Sequence, residues 1–369
     1  MSFTRFAIRL FFITALVLFG CYLYTIYSAV CQKAVMTLAT GKRYVVHPDL
    51  LVSSGLGKGD IGALAKAAHY SLVNPEHKKA YEASLSDTDL VVGIVMPDGT
   101  TCAYARSLLL WHQVINDRLS SHTLLVALCP FTDTITCFSS SFYEQAVYFG
   151  VSGMVYLGSL VMYDRDTQSL WSAVDGRALV GPMSGFKLDQ LPCLLMSWGQ
   201  WRSAHPETLL VTGSDDMSDY TVDPYCKLYM HAEHNLYGTL FCDDRLSPQT
   251  PVVGVVIDDK AVAYPVEKIC ALGCVHDVVQ ETPILVTTYG LLYEPKACPI
   301  AVFDRRVQGK ALYFVDNKGR NEDTSTRSFW GVSGCAYEGP LTSTQLKRLS
   351  VTCTTWFTWS LFYPNTRIY

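Results

Sequence analysis

WGQWRSAHP, residues 198–206, and WFTWSLFYP, residues 356–364, are one phrase written twice. Trp198, Trp201 and Pro206 recur 158 positions on as Trp356, Trp359 and Pro364, and Gly176, Gly181, Pro182 and Leu188 recur with the same shift as Gly334, Gly339, Pro340 and Leu346. Upstream, Val92-Gly93 returns as Val253-Gly254, Tyr104 as Tyr264, Asp117 as Asp277, and Asp166-Thr167 as Asp323-Thr324, with shifts between 157 and 161. A period this long means one structural unit used twice, with small insertions in its loops. Residues 89–211 form unit one, 212–251 an acidic connector and 252–369 unit two.

Each unit reads as many short strands with one helix near each end, an α+β fold dominated by antiparallel sheet. In unit one, strands are expected at Leu90–Val95, Thr101–Ala105 and Thr123–Cys129, and a helix over Ser107–Leu119. An amphipathic helix over Leu194–Ser203 is stopped by His205-Pro206. Each unit carries more apolar sequence than one small core needs, so the two are expected to pack together. Trp198 and Trp201, three apart and present in both copies, read as core residues. Asp166, Thr167 and Ser169 before Trp171, echoed by Asp323, Thr324 and Ser328 before Trp330, read as turn-forming groups beside a packed ring.

The N-terminus adds an attachment. Leu10–Cys31 carries no formal charge, and at about 1.5 Å per residue it is long enough to cross a hydrocarbon core of about 30 Å. Arg5 and Arg9 precede it and Tyr22, Tyr24 and Tyr27 crowd its far end, which predicts a single-pass anchor over residues 1–32, with everything after it outside the cytoplasm. A cleaved signal peptide is the rival reading, without a clear Ala-x-Ala site. Residues 33–88 read as a lead-in, with helical stretches at Ala63–His69 and near Glu76–Leu85. The 29 Lys and Arg against 33 Asp and Glu form no basic run, which argues against nucleic acid as a partner. There is no phosphate-binding glycine loop, dinucleotide fingerprint or HExxH motif.

Thirteen cysteines form no CxxC pair and read as small packing residues with one or two disulfides. Asp215, Asp216, Asp219 and Asp223 lack the frame of a calcium loop, and His231 and His234 in the same connector read as solvated.

A residue the shared fold needs should appear in both copies, whereas one needed for chemistry can be lost from one. Under the 160-residue shift, His112 faces Leu272, Gln113 faces Gly273, Asn116 faces His276 and Cys129 faces Tyr289, while Asp117 is kept as Asp277. His112, Asn116, Asp117 and Cys129 are therefore the candidate catalytic set. On a helix His112 and Asn116 share one face. Two chemistries stay open: His112 as base toward a Cys129 thiol, or His112, Asp117 and Cys129 as ligands of a transition metal with a position left for substrate.

WHQVIND (Trp111–Asp117), Cys129-Pro130, FGVSGMVYLGSLVMYDRDTQSLWS (Phe149–Ser172), the Trp-x2-Trp helix before HPET, and Asp244-Arg245-Leu246-x-Pro248 together resemble the bacterial and archaeal domain-of-unknown-function family numbered 3179, from about Leu90 to Tyr369. The family's WHE[IV]VND, its CPLC or CPLT segment and its YDR-x-T-x-SLWSQ fall on His112, Asn116, Asp117, Cys129, Tyr163, Asp164, Arg165 and Trp171. Gln113, Phe131 and Ala173 depart from the pattern, and losing the Glu at 113 removes a charge beside His112. The resemblance implies a site without naming a reaction. The sequence thus points either to an enzyme using thiol or metal chemistry on a small molecule or envelope component, or to a noncatalytic binding or assembly module at the membrane surface.

Overall fold

A computed structural model describes residues 36–37, 43–54, 71–142, 145–212, 220, 223–225, 243–289 and 299–369. The expected anchor, the Ala63–His69 stretch, and connector residues Asp215, Asp216, Asp219, His231 and His234 lie outside the described residues. Among the described residues no helix is long and apolar enough to cross a membrane.

The fold is mostly β-sheet, and one order of pairing occurs in both halves. In unit one the first sheet runs Cys193–Ser197, Leu90–Val95, Thr101–Ala105, Leu209–Thr212; in unit two it runs Thr352–Thr355, Pro251–Ile257, Lys260–Pro265, Arg367–Ile368. The second sheets are Gln190–Leu191, Thr134–Ser139, His122–Cys129, Val114–Leu119 and Lys347–Arg348, Ile300–Asp304, Thr282–Thr288, Cys274–Val279. The third sheets hold Phe149–Tyr156, Ser159–Asp164, Leu170–Ser172, Ala178–Val180 and, in unit two, Phe314–Asn317, Arg320–Asp323, Phe329–Trp330, Ala336–Glu338. The last strand of each first sheet pairs parallel to its neighbour, Leu209 with Cys102 and Arg367 with Val262.

The repeated residues have physical reasons. A Cβ on Gly93 would stand 2.3 Å from the Trp201 ring and one on Gly254 2.0 Å from Trp359, so each Val-Gly step exists to let an indole lie on a strand. Each indole donates to a threonine, Trp201 Nε1 to Thr208 and Trp359 Nε1 to Thr366. Gly176 and Gly334 take φ of +69° and +81° beneath Phe138 and Phe303, a turn that side chains resist. The polar turns also recur, with a shifted register. Asp164 accepts from Thr167, Ser169 and Trp171 Nε1, and Asp323 accepts from Thr326, Ser328 and Trp330 Nε1. The structural equivalents are therefore Asp164 with Asp323 and Thr167 with Thr326, two residues off the Asp166-Thr167 match.

Apolar clusters run across both units: Val92, Ile94 and Tyr104 share one with Val253, Val255 and Tyr264, and Trp198 and Trp201 share another with Phe303, Phe314 and Trp330. A strand ladder joins the units where Ile135 pairs with Cys353.

Three sequence expectations fail locally. The helix expected over Ser107–Leu119 ends at His112, and Val114–Leu119 is a strand. Gln113 takes φ +57° and closes the last turn onto Leu109 O, as Gly273 does at φ +73° in unit two. The helix placed over Leu194–Ser203 is a strand, Cys193–Ser197, followed by a helix, Trp198–Ala204, whose first turn donates to the Ser197 hydroxyl. Of the helical stretch expected near Glu76–Leu85, Glu76–Lys79 is an edge strand and Ala80–Glu82 a single helical turn.

Candidate functional site

The strand Val114–Leu119 separates the candidates that a helix would have grouped. Successive residues on a strand face opposite sides, so Asn116 and Asp117 point apart. Asp117 pairs with Leu124 and Asn116 with Leu125, and Cys129 lies on the Leu125 side of the sheet. Asp117 thus looks into the space between the first and second sheets, while Cys129 is packed with Phe138, Phe149 and Trp171 on the other face.

In that space Asp117 accepts from the Tyr104 hydroxyl at 2.7 Å and its Oδ2 lies 2.9 Å from His77 Nε2. Tyr104 and Cys102 come from one face of the Thr101–Ala105 strand. His77 comes from the edge strand Glu76–Lys79, which adds to the first sheet by pairing with Leu209–Thr212. The ligand atoms of His77, Cys102 and Asp117 all lie within 4.8 Å of one another. Asp117 is fully buried and His77 is 22% exposed, so the cluster meets solvent on the His77 side. Burial pushes the Cys102 thiol far up and, with the Asp117 charge, the Tyr104 phenol also, so both stay protonated and neither is a nucleophile in this state.

Unit two keeps the frame and changes the contents. Tyr264 donates to Asp277 at 2.7 Å, but Val262 stands where Cys102 does, and Arg367 reaches Asp277 Oδ2 at 2.6 Å in place of the histidine. A permanent guanidinium closes that carboxylate.

The other predicted residues have different surroundings. Asn116 donates to Phe149 O at 2.9 Å and accepts from Phe149 N at 2.6 Å. In unit two His276 accepts from Phe314 N, the equivalent backbone position, so both side chains tie the second sheet to the third. His112 is buried, with Nε2 3.0 Å from the Tyr220 hydroxyl, and Gln113 donates to Tyr225 at 2.6 Å. Two connector tyrosines therefore cover the end of helix Arg106–His112, whereas Leu272 at the same place in unit two is 50% exposed. The structure does not gather His112, Asp117 and Cys129 around one point. It brings Asp117 to His77 and Cys102 instead. All eight described cysteines are free thiols, so the expected disulfides are absent among the described residues.

His77 escaped notice because it lies in the lead-in, which has no second copy to compare with. Cys102 carried a usable signal: the same shift that opposes Cys129 to Tyr289 opposes Cys102 to Val262.

The family described as "Protein of unknown function (DUF3179)" matches residues 70–366, a span that begins upstream of Leu90 and takes in His77. No curated protein and no solved structure matches the chain.

Proposed function

Because the chain belongs to the DUF3179 family, whose description names no reaction, we propose from the site itself that it is a transition-metal-binding protein whose ion is held by His77, Cys102 and Asp117. The observation that carries this reading is the cluster of three different ligand types within 4.8 Å, drawn from three strands, with no counterpart around Asp277 among the described residues. Imidazole, thiolate and carboxylate together suit Zn(II) and its neighbours in the first transition row. Bonds of roughly 2.0–2.3 Å put tetrahedral ligands about 3.3–3.8 Å apart, so the 2.9 Å His77–Asp117 contact has to open by roughly half an ångström. The ion displaces the Cys102 proton, which burial alone would retain. Tyr104 then orients the carboxylate from the outer shell. Three protein ligands leave a fourth position for water or a small molecule on the His77 side, the arrangement a metal-activated nucleophile requires.

The uncharged N-terminal stretch and its flanking arginines support a membrane-anchored, extracytoplasmic placement, with an envelope component or small molecule as the thing bound. The order of sheets common to both halves supports descent from one duplicated unit, with the site retained in unit one. In this reading His112 belongs to the docking of the connector and Cys129 to the apolar core on the other face of the second sheet. The noncatalytic alternative, binding or assembly at the membrane surface, needs no open ligand position.

The test is metal content and zinc titration of the purified full-length chain in detergent, beside Cys102→Val and His77→Ala. Stoichiometric uptake lost in both variants supports the site. No uptake by the wild type, or uptake unchanged in Cys102→Val, sinks it. Uptake that survives those changes but vanishes in Cys129→Ser would restore the pocket first read from the sequence.

A further inference from the structure

Unit two holds a cleft of about 530 Å³ between the start of strand Lys260–Pro265, the end of strand Cys274–Val279 and the turn that leads from Phe362 to Arg367. Small-molecule sites span about 300–1,000 Å³, so the space is of ligand size. Its lining includes two cations. Arg367 pairs with Val262, two residues on from Lys260, and residues two apart on a strand share a face, so both long side chains rise from one side of the first sheet. Arg367 gives one nitrogen to Asp277 and stays 48% exposed. A guanidinium carries several N–H donors, so this one keeps capacity for a second oxyanion. Asp277 answers Arg367, whereas no ion pair among the described residues answers the exposed Lys260. The cleft also takes in Val278, 53% exposed, with Phe362 and Pro364, so apolar surface stands open beside the cations.

Unit one shows that the fold does not require these groups. Thr100 holds the place of Lys260, bonding across to Met96 as Lys260 pairs with Ile257. Leu209 holds the place of Arg367 beside Cys102, and Glu207 precedes the indole-bound Thr208 as Asn365 precedes Thr366. Unit two thus has Lys for Thr, Arg for Leu and Asn for Glu, three differences that all make one cleft more positive. Val278 stands for Arg118 and leaves the apolar part uncovered, and Asp259, in the place of Gly99, is the one acidic residue of the lining.

We propose that this cleft binds a small organic oxyanion, its phosphate or carboxylate head between Lys260 and Arg367 and its apolar body against Val278 and Phe362. Ammonium and guanidinium both hold such heads through charge-assisted hydrogen bonds. The space is larger than a bare anion fills, and its apolar part suits the body. The site is separate from the His77 cluster and does not depend on it.

The experiment is calorimetric titration of the full chain in detergent and metal-free buffer, against empty micelles, with phenyl phosphate, benzoate, inorganic phosphate and phenol. Saturable one-to-one binding of phenyl phosphate or benzoate is expected, and the tighter of the two identifies the head group. Inorganic phosphate and phenol should each bind weaker than the tighter probe by about tenfold or more, since each lacks one half of the ligand. Lys260→Thr and Asn365→Glu, which install the residues of unit one at exposed positions, should each weaken binding by about tenfold. The proposal is overturned if neither organic anion binds, if phenol or inorganic phosphate binds as tightly as they do, or if both folded variants bind as the wild type does.

Discussion

Tyr104–Asp117 and Tyr264–Asp277 are the same buried pair at the same distance, 2.7 Å, and differ in what else reaches the carboxylate. In unit two Arg367 occupies it, with Val262 behind. In unit one His77 takes the place of the fixed cation and Cys102 the place of the valine. A guanidinium stays charged and shuts the position, whereas an imidazole and a thiol can each give up a proton to a metal. One scaffold therefore carries a closed ion pair on one side and the His77, Cys102 and Asp117 cluster on the other. The difference lies in three side chains, and one of them comes from outside the repeat.

The comparison is broken most forcefully at the tryptophans. Trp201→Ala and Trp359→Ala should each destabilise by roughly 3–5 kcal/mol, measured by urea unfolding. A gap of more than about 2 kcal/mol between them would mean that the two indoles do unequal jobs. Next comes the metal. Cys102→Val, which gives unit one the valine of unit two, should lower zinc affinity by more than about 100-fold, beyond what loss of an outer-shell partner does. Its unfolding midpoint without metal should hardly move.

Asn116→Ala leaves the Phe149 N–H and C=O without their partner and should cost about 2–3 kcal/mol. Asn116→His copies His276 and should recover part of that loss. If both variants are equally unstable, the two ties are not equivalent. The smallest expected effect is in pH dependence. Burial and the Arg348 charge hold His205 at about 4, below its ordinary 6.5. The unfolded ring therefore takes its proton first, and stability falls as pH drops from about 6.5 toward 4. His205→Tyr, which copies Tyr363, should flatten that fall relative to wild type in urea midpoints taken across the window. An unchanged slope would place the acid sensitivity elsewhere, for instance at His276, which burial also lowers.

Much of the architecture was legible in residues that recur. Gly93 and Gly254 mark where an indole crosses a strand, and the prolines after both tryptophan helices keep their positions. The helix end at Gln113 was legible too, in the other copy: Gly273 is an ordinary stop signal that glutamine conceals. Reading WHQVIND as one helix misplaced Asn116 and Asp117 by a change of period, from 3.6 to 2, in mid-phrase. Within the site, Asp117 and the Tyr104 repeat stood out, whereas Cys102 looked like one more apolar cysteine in a strand.

By itself the sequence determined that one pattern of spacings recurs about 158 positions on, and which positions carry it, because close approaches of glycine and indole leave the same mark in each half. Only the tertiary structure decided which side chains meet. Alternation along the strands sends Asp117 and Cys129 to opposite faces of one sheet. His77, forty positions before Asp117, and Tyr220, 108 beyond His112, arrive from segments with no counterpart in the repeat. Contacts of that range are fixed by how whole sheets stack, and no local period or motif spacing encodes them.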